Sequence, residues 1–302
     1  MVVVLILGLL SSLFYGASDF LGALTARRLT VLKASVAVYA AATATAGVAL
    51  AFVPWSFGER ALWSGIAAGV LATVGMVTFY AALAIGPMSL LAPLIALIQT
   101  AIPVAVSATT GSPLSPIVWF AIVLALVATM LISVPAGAAV TRITAHGGVL
   151  ALVSGVTLGL SVVALDFAPA ESGIFPAFLD VGCGLVLLLP LMAFRRARGR
   201  LAWLGESDSP DPAPTDAPPV LLLTPTRAAM MSAASGILLG VGNILLVVAL
   251  HTGNLAVVAV LVSLYPLGTV LLARLVLGER LSRPQLGGVA LAVVAAIMLG
   301  VS

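Results

Sequence analysis

Apolar runs of about twenty residues follow one another down the chain, from VVVLILGLLSSLFYG near the start to LGGVALAVVAAIMLG near the end. Charges, prolines and glycines gather between them. A run of that length crosses a hydrocarbon core of about 30 Å as a helix rising 1.5 Å per residue. In lipid it has little choice, because each backbone N–H and C=O must be satisfied within the segment or in a closed barrel. The ten-residue alternation of a barrel strand is absent from these runs. A soluble fold is excluded by composition: 62% of residues are hydrophobic and 8% charged, where soluble domains carry about 25% charged residues. The expected fold is therefore an all-α membrane protein of ten transmembrane helices. Cutting at charges, Pro/Gly clusters and tryptophans places the spans at 3–24, 34–53, 61–85, 88–108, 117–135, 147–167, 175–194, 228–250, 255–276 and 284–301. Trp55, Trp63 and Trp119 fall at span ends, where indole rings favour the headgroup level. No Lys or Arg precedes the first apolar stretch, which is read as a retained span rather than a cleaved signal.

The net charge is +3, but the 13 basic residues lie at the ends of apolar runs instead of in one stripe. That distribution excludes a nucleic-acid partner and speaks of membrane topology. Cys183 is the sole cysteine, so neither an intrachain disulfide nor a CxxC metal site is possible. No HExxH, GxSxG, GxGxxG or Walker A pattern occurs, and the two histidines, His146 and His251, are read into separate connections. The reading is of no enzyme, no cofactor and no metal, with a small-molecule substrate and membrane lipids as partners. The stretch 195–226, with its basic cluster followed by a Pro/Asp-rich tract, reads as a solvated flexible loop.

The chain repeats itself. ALAIGPMSLLAPLIALIQTAIPVAVSATTGSPLS (82–115) aligns without gaps on ALHTGNLAVVAVLVSLYPLGTVLLARLVLGERLS (249–282), pairing Gly86 with Gly253, Leu94 with Leu261, Gly111 with Gly278 and Ser115 with Ser282. Two halves follow, 1–138 and 145–302. Each holds five spans, an odd number, so the second enters the membrane inverted with respect to the first. The charges agree: the connection after span 1 carries Arg27, Arg28 and Lys33, while its counterpart after span 6 carries Asp166 and Glu171. Odd-numbered connections and the span ends facing them hold every Lys and Arg except Arg60. By the positive-inside rule they are cytoplasmic and both termini lie outside.

Three features then carry a resemblance: Tyr15-Gly16 in span 1, a G-x-x-x-L-L-x-P-L pattern from Gly86 to Leu94, and LGERLS-x-x-Q-x-x-G from Leu277 to Gly288. With ten spans in two inverted halves, the chain resembles the EamA family of the drug/metabolite transporter superfamily. The resemblance implies a basket of helices around a central cavity, in a bacterial-type inner membrane. It also implies secondary transport, mostly efflux, of small metabolites such as amino acids. The sequence departs from the family at GSPLS, where Ser112 and Pro113 replace the charged pair Glu279 and Arg280 of the other half. It also departs in its charge count, since family members are often drawn with both termini in the cytoplasm.

Polar groups inside the spans are the candidates for a cavity lining. Asp19 lies five residues before the expected end of span 1, about 8 Å along the axis. It reads either as an entrance acid for a substrate ammonium or coupling proton, or as a carboxylate reaching the headgroups near Arg27 and Arg28. Tyr15 is one turn deeper, as a wall of the cavity, and Tyr80 is read at the same level. Gln99 stands between Pro93 and Pro103, and its aligned position in span 9 is Pro266, next to Tyr265. Both helices are expected to break at mid-depth, where inverted-repeat transporters bind their substrates. Asn243 in span 8 completes the set. Tyr39 reads as packing, Asp180 and His251 as interfacial. The resulting function is a secondary exporter of a small, amino-acid-like or related metabolite by alternating access, linked to protons or to another gradient. Two alternatives stand beside it, a flippase for a lipid-linked sugar or other amphiphile and a non-transporting membrane scaffold.

Overall fold

The computed structural model describes residues 2–26, 29, 31–85, 88–110, 114–133, 144–198, 224–277 and 281–301. Within these the chain is helical: α1 (Val2–Ala26), α2 (Val31–Leu50), α3 (Glu59–Ile85), α4 (Met88–Thr110), α5 (Pro116–Ser133), α6 (Ala145–Asp166), α7 (Phe175–Arg198), α8 (Pro225–Thr252), α9 (Leu255–Val262), α10 (Tyr265–Leu277) and α11 (Arg283–Val301), with one 3-10 turn at Ala170–Ser172. Among the described residues nine segments are long and apolar enough to cross a membrane, counting α9 and α10 as one, and Leu94–Thr110 of α4 is a shorter apolar helix beside them. This is an all-α membrane protein of about ten helices. The loop read at 195–226 lies mostly outside the described residues, which resume at Thr224.

Helix ends follow local chemistry. Thr224 caps α8, its hydroxyl accepting from the Arg227 N–H, with Pro225 at the first helical position where no N–H is needed. Asn254 caps α9 in the same way through the Ala256 N–H at 2.9 Å. The second helix runs over 31–50 instead of the expected 34–53. It closes with tight turns in which the N–H groups of Ala51 and Phe52 donate to Val48 and Ala49, because Pro54 disfavours helix for the residue before it.

The expected break in span 9 is present. α9 stops at Val262, and the chain turns through Ser263 and Leu264 before α10 begins at Tyr265. Pro266 has no N–H to give the Val262 carbonyl, and the Leu264 and Leu267 N–H groups close shorter bonds to Leu261 and Leu264 instead. The expected break in span 4 is absent: α4 is continuous past both Pro93 and Pro103. Pro103 leaves the Gln99 carbonyl without its helical partner, and that oxygen lies against Gly159 of α6, where an added Cβ would stand 2.7 Å from it.

With no hydrophobic drive between helices inside lipid, packing rests on small residues that let backbones approach and on hydroxyls that bond across. The α1–α8 contact joins Ser11 Oγ to the Gly242 carbonyl at 2.8 Å, and Ser18 and Ser235 each donate to the other's carbonyl at 2.9 and 2.8 Å. In α3–α6, Ser154 donates to the Gly75 carbonyl at 2.9 Å. The principal pairings come in exchange-related sets: α1 packs on α8 as α6 packs on α3, α2 on α8 as α7 on α3, and α1 on α9–α10 as α6 on α4. All eight residues of α9 are buried, which puts this short helix at the bundle centre.

The face carrying connections 2–3, 6–7 and 8–9 is tied together by contacts between neighbouring segments. Trp55 stacks on Phe175 with centroids 5.0 Å apart, Phe57 meets the same ring edge-on at 6.0 Å, and Ser56 Oγ donates to the Glu171 carbonyl at 2.8 Å. Gly173 takes φ +57° beneath the Pro54 carbonyl. Ser107 Oγ reaches Asn254 Oδ1 at 2.9 Å on the same face.

Candidate functional site

The site is built on the inner face of α1, where positions 11, 15 and 18–19 recur at the three- and four-residue spacing of one helical stripe. Ser11 and Ser18 clamp this stripe to α8. Between the clamps, the Tyr15 hydroxyl donates to Asn243 Oδ1 at 3.1 Å. Asn243 is 3% exposed, and its Nδ2 donates to Asp180 Oδ2 at 2.6 Å and to the Ala177 carbonyl at 3.3 Å. Three helices, α1, α8 and α7, are thus joined by one phenol–amide–carboxylate chain.

Asp180 is therefore not interfacial. α7 starts at Phe175, and five residues in, Asp180 points to Asn243 from a position where α3 presents Gly69 to its backbone: an added Cβ on Gly69 would lie 2.5 Å from the Asp180 carbonyl. The signal was in the sequence, an acid inside FPAFLDVGCGLVLLLP, the same kind of anomaly as Asp19; its nearness to the span end concealed it.

Asp19 is one turn from Tyr15 towards the C-terminal end of α1. Because α1 continues to Ala26, Asp19 is seven residues from the helix end, about 10 Å, and so somewhat deeper than read from sequence. Its side chain is exposed, and Tyr15 and Tyr265 both lie within its electrostatic reach. It has no hydrogen bond and no ion pair among the described residues. Tyr265 is brought opposite by Gly16: a Cβ there would collide with the Tyr265 carbonyl and come within 2.9 Å of the Thr269 N–H nitrogen. Thr269 Oγ1 donates to the Gly16 carbonyl at 3.2 Å, which seats the first turn of α10 on α1. The Tyr15-Gly16 pair thus has two tasks, one residue lining the site and the next letting α10 approach.

Of the residues read from sequence, Tyr15, Asp19, Asn243 and Tyr265 converge. Gln99 is half-buried on α4, and its side chain makes no hydrogen bond among the described residues. Tyr80 is in α3, but its side chain lies outside the described residues. Tyr39 is buried against Gly184 of α7, within electrostatic reach of Tyr15. His251 belongs to the last turn of α8 rather than to a connection, and lies close to Ala168 on the tied face. His146 likewise stands in the first turn of α6.

Residues 146–301 match the family model of the EamA-like transporter family, more than half of the chain. The chain belongs to the EamA-like transporter family. It is accordingly a multi-pass membrane transporter of the drug/metabolite superfamily. A solved crystal structure, titled only as that of a protein, superposes on this family member with a TM-score of 0.72 over 98% of this chain and 95% of its own, at 16% identity. At that identity the likeness is one of fold. No curated protein matches the sequence.

Proposed function

We propose that this EamA-family transporter exports a small, amino-acid-like metabolite by alternating access coupled to protons, across the inner or plasma membrane. The observation that carries the reading is Asp19, an exposed carboxylate on α1 with Tyr15 and Tyr265 in electrostatic reach and no hydrogen bond or ion pair among the described residues. A bare charge at this depth costs about 2.5–3.5 kcal/mol on insertion scales and is kept where a cation, a proton or water meets it. A substrate ammonium answers that need, and the rings of Tyr15 and Tyr265 offer faces to the same cation. The exchange-related helix pairs support two halves, 1–138 and 145–302, as the inverted units that rock about this space, with the broken α9–α10 as the element that gives. The charge distribution supports odd connections in the cytoplasm and both termini outside, which makes the tied face the outer one. Gln99 and Tyr80 are further lining candidates on α4 and α3.

The test is flux in proteoliposomes with a panel of labelled amino acids and primary amines, with and without a proton gradient. Wild-type protein should move at least one amine-bearing solute. Asp19→Asn should lower its apparent affinity by about tenfold or more, because a hydrogen bond to a charged group contributes about 1.5–3 kcal/mol. If no member of the panel moves under either condition, the reading fails.

A further inference from the structure

Asn243 is buried with both ends of its amide in use, and its surroundings fix which end is which. Two acceptors, Asp180 Oδ2 and the Ala177 carbonyl, face one end, so that end is Nδ2 and the Tyr15 hydroxyl must donate to the other. From Tyr15 through Asn243 the donors point towards Asp180, with the second Nδ2 proton on Ala177, and the single proton of Tyr15 is spent on Asn243. We infer that Asp180, Asn243 and Tyr15 form a relay that reports the protonation of Asp180 to the substrate space.

The step needs only a proton. When the Asp180 carboxylate takes one up, its new O–H becomes a donor. The Asn243 amide then turns by half a revolution, Oδ1 accepting from Asp180 and Nδ2 donating to the Tyr15 oxygen, while the longer 3.3 Å bond to the Ala177 carbonyl is given up. The Tyr15 hydroxyl hydrogen is released to point at an acceptor in the space it shares with Asp19. Losing the proton to the opposite aqueous phase restores the first arrangement. No covalent bond other than O–H forms or breaks. Because Tyr15, Asn243 and Asp180 stand on α1, α8 and α7, the reversal is felt at two helix–helix contacts at once.

Among the described residues no basic side chain balances the charge of Asp180. The titratable groups around it are Tyr15 and, beyond it, Asp19 on α1, Tyr39 on α2, and Cys183 three residues along α7 itself. From α3 it meets Gly69, with Glu59 and Arg60 ten and nine residues away and Tyr80 eleven. From α8 it meets Asn243, with His251 eight residues on, about 12 Å, and Arg227 sixteen residues back, about 24 Å. Among the described residues no Lys or Arg pairs with it. A membrane-interior carboxylate held by donors but without a base is the kind of group that carries protons in transporters. This division gives the two acids separate work, Asp180 for the proton and Asp19 for the substrate cation, and its transport consequence rests on the function proposed above.

Difference infrared spectroscopy on the full-length protein in lipid bilayers, titrated between about pH 4 and 9, tests the relay without any substrate. Wild type should show a carboxylic-acid carbonyl band that disappears in Asp180→Asn. A tyrosine ring band should shift in step with it, and this shift should be absent from Tyr15→Phe. In Asn243→Ala the acid band should remain while the tyrosine shift is lost. A tyrosine shift that survives Asp180→Asn, or a full acid band in that variant, overturns the relay; Tyr15→Phe, which removes one hydroxyl, gives the same decision from the other end should Asn243→Ala fold poorly. Flux of the labelled amines by the same preparations supplies the second arm. Asp180→Asn should still move solute, with the pH dependence of its rate lost; a pH dependence equal to wild type refutes the coupling role. If wild type moves none of the amines, the transport reading fails, while the infrared result still decides the relay.

Discussion

Gly16 is the point at which the geometry of the site can be perturbed without touching any polar group. In Gly16→Ala the new methyl would meet three backbone atoms of α10: the Tyr265 carbonyl, the Thr269 nitrogen at 2.9 Å and the Gly268 Cα at 3.0 Å. Backbone cannot rotate away as a side chain can, so α10 must retreat by about an ångström at the Tyr265 carbonyl to reach ordinary contact near 3.4 Å. That retreat lengthens the 3.2 Å bond from Thr269 to the Gly16 carbonyl. Overpacking of this kind costs about 1–3 kcal/mol. Gly287→Ala on α11 is the matched control, since nothing lies within 4 Å of its added Cβ. Both changes gain the same helix propensity, about 1 kcal/mol, so the difference between the variants isolates the packing cost. At about 2–4 °C per kcal/mol in chains of 150–250 residues, Gly16→Ala should melt several degrees below Gly287→Ala in detergent or nanodiscs. Equal melting temperatures would falsify the close seat of α10 on α1. The same retreat moves Tyr265 away from Asp19, so amine flux should fall in Gly16→Ala and hold in Gly287→Ala.

Gly173→Ala places a Cβ on a residue at φ +57° and under the Pro54 carbonyl, a change expected to cost at least the 1–2 kcal/mol of the left-handed conformation, read as a lowered melting temperature. Trp55→Ala removes a stack worth about 0.5–1.5 kcal/mol beyond its buried area, and hydrogen exchange should quicken in 51–58 and 167–174 but not in α9. Ser18→Ala and Ser235→Ala should each destabilise by about 0.6 kcal/mol, and the double variant by less than the sum, because each hydroxyl serves the other's helix; strict additivity would count against the paired clamp.

How far the sequence could be read follows from the solvent. Lipid demands that every segment satisfy its own backbone, so each span declares itself locally as an apolar run, and ten of them were legible with ends displaced by a few residues. A missing N–H is local too, which is why the break before Tyr265-Pro266 was expected and found. The same argument failed for α4, which stays one helix past Pro103, with the Gln99 carbonyl lying against Gly159 of another helix. Asp19, Tyr15, Asn243 and Tyr265 stood out singly as polar groups in apolar surroundings. Asp180 carried the same signal but was judged by its distance from the span end, when its partner decides its role.

The sequence by itself determined the fold class, the membrane, the family and the broken helix, because these depend on hydrophobic length, proline chemistry and motif spacing within a few tens of residues. Only the tertiary structure decided that Tyr15, Asn243 and Asp180 form one chain, that Asp19 has no hydrogen bond or ion pair among the described residues and lies in reach of Tyr265, and that the face around Trp55 is tied. Those outcomes depend on the rotation and register of helices whose contacting residues lie more than 60 positions apart for Asn243–Asp180 and more than 220 for Tyr15–Asn243. Small residues such as Gly16, Gly69 and Gly159 set that register by how closely they let one backbone approach another. Their effect appears only once the partner helix is in place.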